Sequence, residues 1–115
     1  MRTILVVDDD PGMRYFLAQI LDGSGYRILE AADVAGALEL LRDPANAVDL
    51  LLADINLKGS VELSDTVRRE SSAMKVLFVS SNGRPEFNLL RKPFTPTDML
   101  LEIERLLAKD KAAGG

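Results

Sequence analysis

The most informative segment of the sequence is residues 49–57, DLLLADINL, a short apolar run that contains Asp54 near its end. A run of this length, followed by Lys58 and Gly59, is typical of a strand that is buried on both faces, as strands of parallel sheets are. Asp54 then stands at the carboxyl end of that strand. In open α/β sheets, ligands bind outside this edge. We therefore expect other chemically active residues to follow the neighbouring strands.

Composition narrows the classes of function. With 115 residues, 47% of them hydrophobic and 28% charged, the chain is expected to form one soluble globular domain. A net charge of −4 argues against nucleic acid or an anionic membrane as the main partner. Neither cysteine nor histidine occurs, which excludes disulfides, thiolate nucleophiles and His-ligated metals. Because no signal-peptide pattern follows Met1 and no apolar run is long enough to span a membrane, we predict a cytoplasmic location.

Strand and helix patterns alternate along the chain. Beside the central strand, strands are predicted at residues 3–7, 26–31 and 75–80, and helices after Asp10, after Asp33, from Val61 and after Thr95. This alternation predicts right-handed βαβ units and a parallel sheet of about five strands between two helix layers. Residues 1–109 are expected to form the domain, and residues 110–115 a flexible tail or the start of a linker.

Residues 81–91 are too few for a normal crossover. A crossover with its own helix takes at least about 10–12 residues, and the last residues of this segment are needed for a fifth strand. We therefore expect the helix between strands 4 and 5 to be short or missing. An extended crossover would make strand 5 parallel and bring Lys92 to the edge where Asp54 lies. Asn82 and Gly83 instead favour a hairpin, which would make strand 5 antiparallel and carry Lys92 to the opposite end.

If the strands are parallel, polar residues meet at one edge of the sheet. They are Asp8, Asp9, Asp54, Ser80 and Lys92. Clustered carboxylates raise one another's pKa values unless a cation lies between them, and Mg²⁺ favours such oxygen ligands. A lysine and a hydroxyl suit phosphoryl oxygens. The set therefore predicts a phosphoryl-transfer site in which a carboxylate can act as the nucleophile.

Each of these residues also has a purely structural interpretation, and Asp54 could be simply the residue at which the strand ends. Asp10 is better explained as a helix cap than as a ligand, because Pro11 follows it. The aspartates before it could form a solvated turn. Ser80 could be a buried strand hydroxyl that bonds to the backbone, and Lys92 could be a surface lysine.

Motifs at four predicted strand ends resemble those of the receiver domain of two-component response regulators. They are ILVVDDDP at residues 4–11, LLADINL at 51–57, VLFVSS at 76–81 and LRKPF at 90–94. The resemblance covers nearly the whole chain. It implies an α/β, flavodoxin-like, doubly wound sheet of five parallel strands in the order 2-1-3-4-5.

The resemblance also implies a function and a ligand set. A sensor histidine kinase or phosphotransfer protein would donate a phosphoryl group to Asp54 in a bacterial signalling pathway. Asp9 and Asp54 would bind Mg²⁺ directly, together with the backbone carbonyl of Asn56, and Asp8 would act through water. Such a module turns over no external substrate, so it would not be an enzyme. Its output would be a changed interaction with a downstream protein. Because the helix between strands 4 and 5 is expected to be short or missing, we expect this output to pass through the loop at residues 81–88 or through a homodimer that covers the sheet face left bare there.

Two further residues take roles from the resemblance. Ser80 would be the hydroxyl that closes on the phosphoryl group, and Lys92 would be the counter-ion of that group. The Lys92–Pro93 peptide bond would be cis, which is uncommon among X-Pro bonds in general.

The sequence departs from the receiver pattern at several points. Receivers usually carry proline where this chain has Lys58, and an aromatic residue where it has Leu89. These departures leave open a second hypothesis, a receiver-like interaction domain that works without phosphorylation. A third hypothesis is a phosphatase of the haloacid dehalogenase type, suggested by the aspartates after the first strand. The chain has little room for the cap or larger core that such a phosphatase needs.

Overall fold

The structure, a computed structural model, describes residues 1–71, 73–81 and 88–114, with side chains described up to residue 108. Strands and helices alternate along these residues. The strands are β1 (Thr3–Val7), β2 (Arg27–Ala31), β3 (Leu50–Asp54), β4 (Lys75–Ser80) and β5 (Leu89–Arg91). The helices are α1 (Pro11–Asp22), α2 (Val34–Arg42), α3 (Ser60–Glu70) and α4 (Pro96–Gly114), with a 3₁₀ turn at Pro44–Asn46.

The five strands form one sheet in the order β2-β1-β3-β4-β5. All four neighbouring pairs are parallel, which confirms the predicted flavodoxin-like order. The pairing of Ser80 with Arg91 makes β5 parallel to β4, so the hairpin alternative is wrong. Lys92 therefore follows β5 at the same edge as Asp54. The prediction that the helix between β4 and β5 is short or missing concerns residues 82–87, which lie outside the described residues.

The sheet is buried between two helix layers. Alternate side chains of each strand lie on opposite faces of the sheet. Those on one face pack against α1 and α4; on the strands they are Ile4, Val6, Leu50, Leu52, Leu77, Val79 and Leu90. Those on the other face pack against α2 and α3; on the strands they are Leu5, Val7, Ala31, Leu51, Ala53, Val76 and Phe78. Because β1, β3 and β4 are covered on both faces, they are apolar throughout instead of alternating. Only the strand ends are left for polar chemistry.

Local capping bonds start three of the helices where the sequence predicts. The Asp10 carboxylate accepts a hydrogen bond from the Gly12 N–H at 2.9 Å, and the Asp33 carboxylate accepts one from the Gly36 N–H at 2.8 Å. At α4, the Asp98 N–H donates to Thr95 Oγ1, and the Thr95 N–H donates to the Asp98 carboxylate, both at 3.0 Å. These bonds satisfy backbone donors that a helix start leaves unpaired. The cap at Asp10 begins α1 directly after the acidic loop.

Some element boundaries differ from the predicted ones. β2 begins at Arg27, one residue later than predicted, and α3 begins at Ser60 and ends before Met74. Gly59, with φ of 81°, turns the chain into α3 in a conformation that suits glycine. α4 continues to Gly114, so the predicted tail is helical here, and its flexibility stays a prediction. No helix in the described part of the chain is long and apolar enough to cross a membrane.

Candidate functional site

The carboxyl edge of the sheet gathers the residues that the sequence singled out. Asp8 follows β1, and Asp54 and Ser80 end β3 and β4. Asp8 and Ser80 are buried, each with 2% exposure. The side chains of Asp54 and Lys92 are 19% and 30% exposed, so both are accessible from solvent. The edge therefore combines two buried side chains, Asp8 and Ser80, with two solvent-accessible ones, Asp54 and Lys92.

Asp54 has a different partner at each carboxylate oxygen. Oδ1 accepts a hydrogen bond from the Asn56 N–H at 2.8 Å. Oδ2 lies 3.9 Å from the Lys92 Nζ. The carboxylate is therefore held by the turn that follows β3 and faces a cation contributed by the loop after β5.

Asp8 is buried at this edge and restrained by hydrogen bonds of its backbone and its side chain. Its Oδ1 accepts a hydrogen bond from the Asp10 N–H at 2.9 Å, and its own N–H donates to the Ala31 carbonyl at 3.1 Å. Burial raises the pKa of the Asp8 carboxyl, and the charges of Asp54 and Asp9 raise it further. The Asp10 N–H bond and the Lys92 charge oppose this rise in pKa. The acidic residues are thus close enough to repel one another.

The donor set suits a hard divalent cation. Every predicted ligand is an oxygen. Burial raises the pKa of Asp8 most, and a cation would relieve the smaller contribution that comes from the charges of Asp54 and Asp9. Over residues 1–71, 73–81 and 88–108, no cluster of three or more acidic side chains has metal-binding geometry. The predicted Mg²⁺ set does not require such a cluster, since it has two direct carboxylates, Asp9 and Asp54, and the Asn56 carbonyl. Asp9 is exposed on the loop after β1, where a solvated cation can reach it.

Ser80 and Lys92 are joined across the last two strands. The Lys92 N–H donates to the Ser80 carbonyl at 2.8 Å, which continues the pairing of β4 with β5. The Lys92–Pro93 peptide bond is cis, as the resemblance implied. The Ser80 side chain is buried at the same edge as the Asp54 carboxylate. Parallel pairing of a three-residue strand is what places the lysine here.

The sequence analysis missed Arg14. The Nη1 of Arg14 donates to the Asp8 carbonyl at 2.7 Å, and its Nε lies 3.5 Å from Glu30 Oε1. The side chain thus connects α1 with the ends of β1 and β2. The only available signal was an arginine early in the helix that follows the acidic loop, and helical spacing does not tell which way such a long side chain turns.

Comparison with known proteins assigns the chain to a family. Residues 4–104 match the family described as the response regulator receiver domain. The chain belongs to this family. The predicted resemblance and fold class are thereby confirmed, and the phosphatase hypothesis has no support from the match.

Individual relatives agree with this assignment. The receiver is 29% identical to the response regulator receiver protein CpdR of Brucella abortus, over 93% of this chain and 98% of CpdR. It is 32% identical to the nitrogen assimilation regulatory protein NtrX of Azorhizobium caulinodans, over 90% of this chain and 26% of NtrX. A solved CheY-like receiver domain of Methanospirillum hungatei superimposes with a TM-score of 0.88 at 26% identity, covering 98% of both chains. The chain therefore spans nearly all of CpdR but only about a quarter of NtrX.

Proposed function

We propose that this receiver accepts a phosphoryl group on Asp54 from the phosphohistidine of a sensor histidine kinase or phosphotransfer protein, and that phosphorylation changes its binding to a downstream protein. The observation that carries the proposal is the geometry of Asp54. It ends β3, is 19% exposed, and has one oxygen on the Asn56 N–H and the other 3.9 Å from Lys92 Nζ. A carboxylate so held is oriented for attack and open to a donor.

The reaction needs little beyond positioning and charge. Asp54 Oδ2, which the Asn56 N–H does not hold, attacks the phosphorus of the donor. The P–N bond to the imidazole breaks, its electron pair stays on the ring nitrogen, and a P–O bond to Asp54 forms. The Lys92 ammonium offsets the negative charge of the phosphoryl oxygens. The Ser80 hydroxyl, which is buried at the same edge, would donate a hydrogen bond to the phosphoryl group on Asp54.

We propose Mg²⁺ as the cofactor, because the donor set at this edge suits it. Asp9, Asp54 and the Asn56 carbonyl would hold the cation, with Asp8 acting through water. When bound, Mg²⁺ supplies positive charge that neutralises the phosphoryl oxygens and lowers the repulsion among the carboxylates. Asp8 is buried and its side chain is held by the Asp10 N–H, so it would supply a second, fixed carboxylate next to the exposed Asp9.

The proposed module differs from an enzyme. It transfers a phosphoryl group to itself and loses that group by hydrolysis, and it turns over no external substrate. A cytoplasmic location and protein partners, without nucleic acid or membrane, fit its net charge of −4. A homodimer is one form that its phosphorylation-dependent interaction can take.

The proposal is tested by intact mass after incubation with acetyl phosphate, with and without Mg²⁺. We expect one phosphoryl adduct that requires Mg²⁺ and is absent from Asp54→Asn. Asparagine keeps an oxygen that can accept the Asn56 N–H, so the loop geometry is preserved. Its neutral amide is not a nucleophile, so no adduct can form at this position. Asp65→Asn is the matched control, because Asp65 is an exposed aspartate on α3, away from the strand ends, and it should retain the adduct.

A second candidate function is favoured by one observation. Leu89 occupies the position of an aromatic residue in the receiver pattern, and it packs against the buried cluster on the α2 and α3 side of the sheet. A leucine in that position favours a receiver-like domain that binds its partner without phosphorylation. A folded wild-type protein that gains no adduct in excess Mg²⁺ would support this candidate and contradict phosphorylation at Asp54.

A further inference from the structure

The side chain of Arg14 is unusually buried for an arginine. It is 22% exposed, whereas most arginine side chains in proteins are exposed. Its guanidinium lies against the loop after β1 and the end of β2, with Nη1 2.7 Å from the Asp8 carbonyl oxygen and Nε 3.5 Å from Oε1 of the half-exposed Glu30. Holding a guanidinium in this position costs side-chain entropy and solvation. The two contacts offset these costs and hold the guanidinium beside the acidic loop.

The carbonyl that accepts from Arg14 belongs to the peptide group that joins Asp8 to Asp9. The preceding peptide group is held as well, because the Asp8 N–H donates to the Ala31 carbonyl at 3.1 Å. The Asp10 N–H, one residue further, donates to Asp8 Oδ1 at 2.9 Å. With these three bonds in place, the peptide planes on both sides of Asp8 are restrained. The direction in which Asp9 leaves the backbone is then restrained too.

We propose that Arg14 is a positioning residue for the Mg²⁺ site, which orients the Asp8–Asp9 peptide so that the exposed Asp9 carboxylate faces the cation. This inference rests on the proposed function, because it assigns Arg14 a role at the same site. Arg14 does not touch the cation or the phosphoryl group. It acts through the backbone carbonyl of Asp8, and Glu30 holds the guanidinium in place from the end of β2.

The geometry requires an arginine and not merely a cation. The Nη1 and the Nε of one rigid guanidinium contact two acceptors, one in the loop after β1 and one on β2. The ammonium of a lysine has three rotatable donors on one nitrogen, so it does not fix the angle between two acceptors. We therefore expect Arg14→Lys to retain part of the function, and Arg14→Met, which keeps the aliphatic stem, to lose it.

Mg²⁺ affinity, measured by isothermal titration calorimetry, is the primary test. Arg14→Met should weaken Mg²⁺ binding about tenfold, as loss of a group that orients a metal ligand does. Arg14→Lys should fall between Arg14→Met and wild type. Arg27→Met is the matched control, because the Arg27 guanidinium also donates to a backbone carbonyl, that of Asn46 at 3.2 Å, at the opposite end of the sheet. It should leave Mg²⁺ affinity unchanged.

A second measurement separates positioning from stability. In metal-free protein, the backbone amide resonances of Asp9 and Asp10 should broaden or split in Arg14→Met and remain single in Arg27→Met. Wild-type Mg²⁺ affinity and unchanged amide resonances in Arg14→Met would overturn the inference and leave phosphorylation of Asp54 standing. Wild-type protein that binds no Mg²⁺ would overturn the proposed function, and the role of Arg14 at a Mg²⁺ site with it.

Discussion

Among single residues, Asp8 shows what an acidic site costs a folded protein. It is 2% exposed, and its pKa is raised by burial and by the charges of Asp54 and Asp9. A raised pKa means that the folded state disfavours the charged carboxylate relative to the unfolded chain. The hydrogen bond from the Asp10 N–H offsets only part of this cost. The proposed cation would remove more of it, so site chemistry and stability are coupled at this residue.

Asp8→Asn should therefore stabilise the metal-free protein at neutral pH. The native contribution of Asp8 is fully present below its ordinary pKa of 3.8 and is lost as pH rises through its higher folded value. Asparagine does not titrate, so the variant should gain about 0.5–2 kcal/mol above this range and little below it. Urea unfolding in EDTA across a pH series measures the gain. Asp65→Asn should show no comparable gain, and a gain for Asp8→Asn that is independent of pH would contradict the argument.

At the scale of elements, the helix starts are encoded within a few residues of sequence. Asp10, Asp33 and Thr95 each accept a backbone N–H from the first turn that follows. The Thr95 cap is reciprocal, since the Asp98 carboxylate accepts the Thr95 N–H at 3.0 Å. α4 begins soon after Lys92, so its cap also limits the loop that carries this lysine. Strand β5, with three residues, needs such support from its neighbours.

Thr95→Ala should lower the free energy of unfolding by about 1 kcal/mol, as loss of a helix N-cap does. The physical reason is that the Asp98 N–H loses its acceptor while the alanine methyl offers none. Thermal or urea unfolding measures the loss. Thr97→Ala is the matched control, because Thr97 lies exposed in the same first turn, inside the helix and not at its cap. Equal losses for the two variants would count against the capping argument.

At the scale of the whole molecule, both faces of the sheet support one site. Neighbouring residues of β3 belong to different clusters, with Leu51 on the α2 and α3 side and Leu52 on the α1 and α4 side. The Cα radius of gyration of 13.0 Å is close to the value of about 13.3 Å expected for a compact domain of this length. Burial of β3 on both sides is what holds Asp54 at a rigid edge, so damage to either layer should disturb the same unit.

Leu51→Ala and Leu52→Ala should each lower the free energy of unfolding by about 2–5 kcal/mol, because each leaves a cavity beside a fully buried strand. In both variants, unfolding should remain one cooperative transition, with the same midpoint by circular dichroism and by amide exchange. Leu101→Ala, at a position 60% exposed, should change the free energy of unfolding by less than about 0.5 kcal/mol. Two separate transitions would show that the layers fold independently.

The sequence by itself determined the type and order of the strands and helices and three of the helix caps. Apolar runs, Asp10 before Pro11, and Thr95 before Pro96 act over a few neighbours, so local patterns suffice to predict them. The alternation of strands and helices predicted a parallel sheet for the same reason. Residue types at the strand ends were enough to select Asp54 and its neighbours as candidates.

Only the tertiary structure decided which residues that are distant in sequence contact one another. The choice between a hairpin and a parallel β5 depended on pairing with β4, and this pairing places Lys92 Nζ 3.9 Å from Asp54 instead of at the far end of the sheet. The direction of the Arg14 side chain depended on a carbonyl of β1's loop and a carboxylate of β2. Such contacts join residues that are distant in sequence, and their geometry is set by the competition among all long-range contacts, which a local pattern does not contain.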